Sequence, residues 1–327
     1  MRAAAGAVMN PLVTIAIPTL RRLAYLQEAV ASALAQQYQP LEVLIGDDGN
    51  KAAVRTWCEQ QAAADSRVRY QRNTNTLGIA GNWNALAAAA RGEFLTIIGD
   101  DDRLLPEFVS RLVPPAVEGA AVVFCNHHLI DEHGSRLERE TQDLTKRYGR
   151  AELPEGRVDD AEACVWRNAV PISAALLRTA KVRKLRFKED LNTPEIELFL
   201  RLAREDGGFV FVPDFLAEYR THSQSATSGG LWSERLAEYL LALPASPSAE
   251  PHKRRFMGPL LVDAVTRCLL QGDPQRARRF LRNKYYPKPV WRHGRGAIHG
   301  LCANLPALAG CGLFRLLWRV RHRWGRR

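Results

Sequence analysis

Three short runs near the start of the chain restrict what it can fold into. LVTIAI (12–17), LEVLIG (41–46) and FLTIIG (94–99) are dominated by β-branched and aliphatic residues. Continuous apolar runs of this length read as strands buried on both faces. The first ends at Pro18, the second runs into Asp47, Asp48, Gly49 and Asn50, and the third into Asp100, Asp101 and Asp102. Between them lie LAYLQEAVASALAQQ from Leu23, apolar at helical spacing, and a helix through Trp57. RVRYQRN from Arg67 is a third short strand, and GNWNALAAAARG from Gly81 a helix closed by Gly92. The order β-α-β-α-β-α-β predicts a Rossmann-like α/β domain, an open and mostly parallel sheet with helices on both faces. Ligands of such sheets bind outside the carboxyl ends of the strands, where both acidic clusters fall.

Further along, AAVVFCNHHLIDEHGS reads as a strand and a turn, and VPISAALLR as a strand or a helix start. TPEIELFLRLAREDGG is an amphipathic helix with Ile196, Phe199, Leu200 and Leu202 on one side, and FVFVPDFLAEYRTH a strand–Pro–strand segment. From SGGLWSERLAEYLLAL the texture is helical. PASPSAEPHK is a linker-like break, and LLVDAVTRCLLQGDPQRARRFLRNKYY two helices joined through Gln271 to Pro274. The expected organisation is a tail over 1–11, the α/β domain over 12–228 and a helical region over 229–327. Charge follows that division. Of a net +11, the residues after Gly230 carry 19 Lys and Arg against 5 Asp and Glu, which leaves the rest slightly acidic.

Crowded like charges at a strand end repel one another unless something offsets them. A hard divalent cation does so through oxygen ligands. Mg²⁺ typically takes one or two carboxylates and completes its shell with phosphate oxygens and water. GDDD therefore suits a metal–diphosphate site better than an all-protein cage. The plainer reading is a solvated acidic turn that caps the next helix.

The stretch VTIAIPTLRRLAYLQEAVASALAQQYQPLEVLIGDDGN resembles the opening of glycosyltransferase family 2, inverting enzymes of GT-A fold. LGIAGNWNALAAAARGEFLTIIGDDDRLLP is similar to that family's next block, with its Asp-rich DxD-type motif. PEIELFLRLA and VFVPDFLAEYRTHSQSAT resemble its third, an acidic motif on a helix followed by YRxH. The likeness runs over about residues 12–228. It implies a nucleotide-sugar donor, a UDP-sugar being the expected one, and Mn²⁺ or Mg²⁺ as cofactor. Asp48 would bond the base, with Pro18 and Leu20 lining its pocket. Gly78 and Asn82 would belong to the nucleotide-sugar site. Asp100 would contact the ribose and Asp101 the metal, with His222 as a further metal or phosphate ligand. Asp102 would cap the following turn or support the metal-binding groups from behind. Glu195 would be the catalytic base, with Glu197 and Asp190 as the other carboxylates in that segment. Trp166 and Asn168 are candidates for the acceptor cleft.

The sequence also departs from the pattern. Leu20 replaces an aromatic residue and Arg21 an Asn, so Arg21 or Arg22 could instead approach the diphosphate. The usual Glu-Asp pair is Pro194-Glu195, and no QxxRW motif occurs, which disfavours a processive synthase. Two other readings stay open: a degenerate GT-A protein that binds without catalysis, and a nucleotidyltransferase. The latter wants a Gly-rich loop after the first strand, and PTLRRLAY has no glycine. A phosphatase with an Asp nucleophile in a DxDx(T/V) pattern does not fit DDDRL.

RLLWRVRHRWGRR from Arg315 interleaves Arg with Leu, Val and Trp, which suits an interfacial helix on an anionic leaflet. The expected acceptor is a glycan or a lipid-linked one in bacterial surface glycan assembly. No zinc knuckle, RNP motif or helix-turn-helix signature points to nucleic acid. The six cysteines form no CxxC, and MRAAAGAVMNP lacks a long apolar stretch, so the chain reads as cytoplasmic and peripheral on the inner face of the membrane.

Overall fold

The computed structural model describes residues 10–222, 233–288 and 294–324, with side chains in the last helix described to residue 319. Most of the expected tail and residues 223–228 of the third motif block lie outside these. The chain divides into two compact units, Met1–Gly229 and Gly230–Arg327.

In the first unit, β1 (Val13–Thr19), α1 (Leu23–Leu34), β2 (Leu41–Asp47), α2 (Ala52–Ala64), β3 (Val68–Arg72), α3 (Gly78–Ala89) and β4 (Phe94–Ile97) follow the alternation read from sequence. Then come β5 (Arg103–Leu104), α4 (Phe108–Val117), β6 (Val122–Ile130), α5 (Glu138–Arg147), β7 (Gly156–Arg157) and α6 (Ala161–Trp166). A 3-10 turn at Ile172–Ala174 leads into β8 (Ala175–Arg178), α7 (Thr179–Leu185), α8 (Glu195–Leu202) and β9 (Phe209–Arg220). The strand order is β3-β2-β1-β4-β8-β6-β9-β5, with β7 on β9. β1 pairs in parallel with β2 and β4, β2 with β3, and β6 with β9. β8 runs against both β4 and β6, which makes the sheet mixed.

Burial on both faces holds this sheet. Val13, Ile15 and Ile17 of β1 share one buried core with Leu26, Ala29 and Val30 of α1 and Phe108, Val109 and Leu112 of α4. Each such side chain contributes about 1.5–3 kcal/mol when fully buried. Register places Thr19 level with Asp47, and Asp47 level with Arg72. The carboxyl ends of β1, β2 and β3 therefore share one edge.

Some boundaries differ from the sequence reading. β4 stops at Ile97, two residues short of the apolar run. α3 ends at Ala89, before Gly92. Gly92 instead serves close approach: a Cβ there would lie 2.5 Å from the Thr14 backbone nitrogen.

In the second unit are α9 (Ser233–Ala242), α10 (Glu250–Gln271), α11 (Pro274–Leu281), α12 (Gly294–Asn304) and α13 (Ala307–Trp324). The expected break 244–253 is shorter than read, because α10 begins at Glu250 with Pro251 in its first turn, where a missing N–H is harmless. The joint at 271–274 is as read. Gly272 adopts φ 90°, the Asp273 carboxylate accepts from Arg276 N at 2.9 Å, and Pro274 opens α11. Buried His299 lies between Thr266 and Tyr286, each 3.0 Å away, with its ring against Phe314. Pro306 separates α12 from α13, and among the described residues no helix is long and apolar enough to cross a membrane.

Candidate active site

The acidic triplet follows β4 directly, and its three members face three ways. Asp100 is 2% exposed; its Oδ2 accepts from Thr19 Oγ1 at 2.7 Å and its Oδ1 from Arg22. Burial raises its pKa, and Arg22 pulls the other way. Asp101 is the most open of the three side chains. Its Oδ2 lies 2.7 Å from Arg22 Nη1 and 2.9 Å from His222 Nε2. Asp102 turns inward. Its carboxylate accepts from Ser173 Oγ at 2.6 Å and from the backbone N–H of Arg220 at 3.0 Å. Burial, reinforced by the Asp101 charge, pushes its pKa up to about 7. That makes it the internal tie between the acidic turn and the end of β9.

Arg22 and His222 reach this corner from opposite ends of the unit. Arg22 follows β1, and His222 lies two residues past β9. Burial lowers the Arg22 pKa, but Asp100 and Asp101 outweigh it and hold the guanidinium above its ordinary value. The His222 ring packs on Tyr25 at 5.3 Å. Arg220, 1% exposed, braces the turn from behind. Its Nε donates to the Asp101 carbonyl at 2.8 Å, it pairs with Glu28 at 2.6 Å, and its guanidinium covers the Tyr25 ring at 4.6 Å. Thr19, Ser173 and Arg220 were not singled out from sequence. Arg220 stands inside the quoted YRxH, but its partners lie far away in sequence, 119 positions for Asp101 and 192 for Glu28.

Asp48 sits at the end of β2 with its carboxylate already engaged. Oδ1 accepts from Leu77 N at 2.7 Å and Asn73 Nδ2 at 2.9 Å, and Oδ2 from Gly78 N at 2.8 Å. A carboxylate has about four acceptor positions, so one remains open on Oδ2. Gly78, at φ 76°, aims its N–H at Asp48 from the start of α3. Asn82 spans Gly46 O at 2.9 Å and Asn73 Nδ2 at 3.1 Å, so its amide holds the sheet edge. Asn84 bonds both backbone groups of Phe187 and anchors the segment after α7. Pro18 is half-buried and Leu20 is 45% exposed beside this edge. Gly49 makes that approach possible: a Cβ there would sit 1.7 Å from the Leu20 carbonyl oxygen.

Glu195 opens α8. Its Oε2 is buried with no hydrogen-bond partner, and desolvation pushes its pKa up to about 7. Glu197 is buried on another face and paired with Arg201 at 2.6 Å, and Asp190 is exposed. Trp166 is buried at the end of α6, and Asn168 adopts φ 60° just beyond it.

The corner suits a divalent cation in part. Asp101 Oδ2 and His222 Nε2 are 2.9 Å apart, and Arg22 Nη1 lies 2.7 Å from the first and 3.1 Å from the second. Among the described residues no group of three or more His, Cys, Asp and Glu side chains forms a closed set of ligands. Two protein donors leave the rest of a shell to phosphate and water, the arrangement Mg²⁺ favours.

The Campylobacter jejuni GalNAc(5)-diNAcBac-PP-undecaprenol beta-1,3-glucosyltransferase is 34% identical over 126 residues, 38% of this chain and 40% of that protein. Glycosyltransferase GlyG of Streptococcus pneumoniae is 31% identical over 125 residues, covering 38% and 42%. The chain thus spans about two-fifths of the length of these relatives. In structure, it is similar to Staphylococcus aureus TarS 1-349 in complex with UDP-GlcNAc. The TM-score is 0.62 at 15% identity, covering 94% of this chain and 91% of that one. It is also similar to the mannosyltransferase PcManGT of Pyrobaculum calidifontis in complex with GDP-Man and Mn²⁺. There the TM-score is 0.55 at 18% identity, covering 97% and 84%. These likenesses establish the GT-A type of fold, and the model of glycosyl transferase family 2 matches residues 14–179, about half the sequence, so the chain belongs to that family.

Proposed function

We propose that this protein is an inverting, metal-dependent glycosyltransferase that moves a sugar from a nucleoside-diphosphate sugar, a UDP-sugar first, to an acceptor hydroxyl in bacterial surface glycan assembly. The observation that carries the reading is Glu195. A half-buried glutamate with one buried, unpartnered oxygen and a pKa pushed up to about 7 is what a general base needs before its substrate arrives.

In this reading the donor lies along the shared strand edge. The open acceptor position of Asp48 Oδ2 takes an N–H of the base, beside Pro18 and Leu20. Asp100, fixed by Thr19, receives a ribose hydroxyl. Asp101 and His222 would hold Mn²⁺ or Mg²⁺, which when bound offsets charge building on the leaving diphosphate. Arg22 adds a second positive group on the same side. Glu195 Oε2 takes the proton of the acceptor hydroxyl as that oxygen bonds to the anomeric carbon. The bond to the diphosphate breaks on the opposite side, its electron pair leaving with the nucleotide, and one displacement inverts the centre. The acceptor we favour is lipid-linked. A relative's name includes PP-undecaprenol, and the second unit presents Leu308, Leu316 and Leu317 to solvent beside Arg315 and Arg319.

A panel of nucleotide-sugars with Mn²⁺, read by released nucleoside diphosphate, tests the reading. Turnover that disappears in both Asp101→Ala and Glu195→Gln is expected. Turnover unchanged in both would overturn it, and nucleotide binding with no turnover in the unaltered protein would point to the degenerate binder.

A further inference from the structure

Arg22 occupies the point on which the two proposed metal ligands converge. Its Nη1 is 2.7 Å from Asp101 Oδ2 and 3.1 Å from His222 Nε2, and its other terminal nitrogen holds Asp100. The cluster is shielded, with side chains 21% exposed for Arg22, 2% for Asp100, 13% for Asp101 and 3% for His222. Little water screens it, so its charges interact more strongly than surface charges do. A divalent cation and Nη1 would compete for the Oδ2 lone pairs, and for Nε2 in the tautomer that leaves that nitrogen unprotonated, and they would repel one another at that distance.

Three features allow the guanidinium to leave. Arg22 lies between β1 and α1 at φ −102° and ψ 73°, outside regular structure. Its carbonyl enters the helix, accepting from Leu26 N at 3.0 Å. Asp100 keeps Thr19 as a second partner when the arginine moves. A guanidinium freed here is near the diphosphate of the proposed donor, which it matches as a two-pronged donor.

Resting on the donor and metal reading above, we infer that Arg22 is the built-in counter-cation of the resting site. The divalent cation displaces it from Asp101 and His222 only when a diphosphate arrives to receive the guanidinium. Metal alone is then bound weakly, because its site is competent only while Arg22 is away. Metal and nucleotide reinforce each other, and that reinforcement is reciprocal.

Titration of the full-length protein with Mn²⁺, followed by electron paramagnetic resonance of free Mn²⁺ with and without UDP, tests this. The unaltered protein binds Mn²⁺ weakly alone and tightly with UDP. In Arg22→Gln, Mn²⁺ alone binds about tenfold tighter or more, as expected when a competent fraction of roughly a tenth becomes dominant. The enhancement by UDP shrinks in parallel. Arg22→Lys keeps the charge without the fork and falls between. Thermal melting near that of the parent shows that the variants fold. If Arg22→Gln binds Mn²⁺ alone no tighter than the parent, the counter-cation role is overturned. The metal–donor reading still stands in that case, provided Asp101→Asn loses Mn²⁺ in the presence of UDP. Absence of Mn²⁺ binding by the parent with UDP overturns both.

Discussion

Glu195 Oε2 has neither solvent nor a donor, and this one atom has two measurable consequences. In its proposed role of general base it works only when deprotonated, so kcat/KM is expected to rise with pH and level off above about 7. Glu195→Gln loses about 10²–10⁴-fold in kcat with donor affinity retained, and its pH limb disappears, which a pH-rate series with UDP-binding controls would read. The second consequence concerns stability. The unfolded chain ionises Glu195 near the ordinary glutamate value, the folded one near 7. Between those values the folded state holds the extra proton, so this group's contribution falls as pH rises through that window. Glu195→Gln is therefore expected to gain stability relative to the parent at pH 8 but not at pH 4, on the order of 3 kcal/mol at most, measurable by denaturant titration. At this scale the sequence exposed the acidic groups, because their motifs are local. It did not expose their restraints. Arg22 holding Asp100 and Asp101, Ser173 holding Asp102, and Asn73 with the 77–78 backbone holding Asp48 are all contacts between distant positions.

At the scale of elements, the strand–helix alternation to β4 was legible because each strand is continuously apolar and each helix keeps its period. β8 was not. VPISAALLR is too short for periodicity to separate strand from helix, and nothing local reveals that it slots between β4 and β6 against both. The Gly92 reading failed for a related reason. A glycine just after a helical run resembles a cap, whereas this one makes room for the Thr14 backbone. Gly49 is the sharper case, since its missing Cβ lets the turn after β2 lie against the Leu20 carbonyl. Gly49→Ala must push those segments apart. It is expected to weaken UDP binding about tenfold or more and to lower the melting temperature, by calorimetry and scanning fluorimetry respectively, while Gly119→Ala, with open space around its Cβ position, moves only stability.

For the whole molecule, the uneven charge was visible in composition, and the structure adds where apolar surface goes with it. On α13, Cys311, Phe314 and Trp318 share one side of the helix, with Cys311 and Phe314 buried. Leu313, Leu316 and Leu317 lie on the other, Leu316 at 60% exposed and Leu317 at 39%. Flotation with vesicles of anionic phospholipid is expected to recover the protein, less so at high salt. Leu316→Glu with Leu317→Glu should abolish recovery without changing turnover on a water-soluble acceptor. Side chains from residue 320 of the basic run lie outside the described residues, so this prediction rests on the helix up to Arg319. The acidic turn has one more consequence, and it is temporal. Arg22, Asp100 and Asp101 leave the ribosome more than a hundred residues before His222 and the strand that brings it. During that interval Arg22 is the counter-charge available to the turn. Docking of β9 beside β6 then adds Arg220 behind it and His222 in front. Long-range joints of this kind form late. A nascent chain that stops short of β9 lacks both Arg220 and His222 at this corner, and competence to bind donor is expected to appear only with the last strand of the sheet.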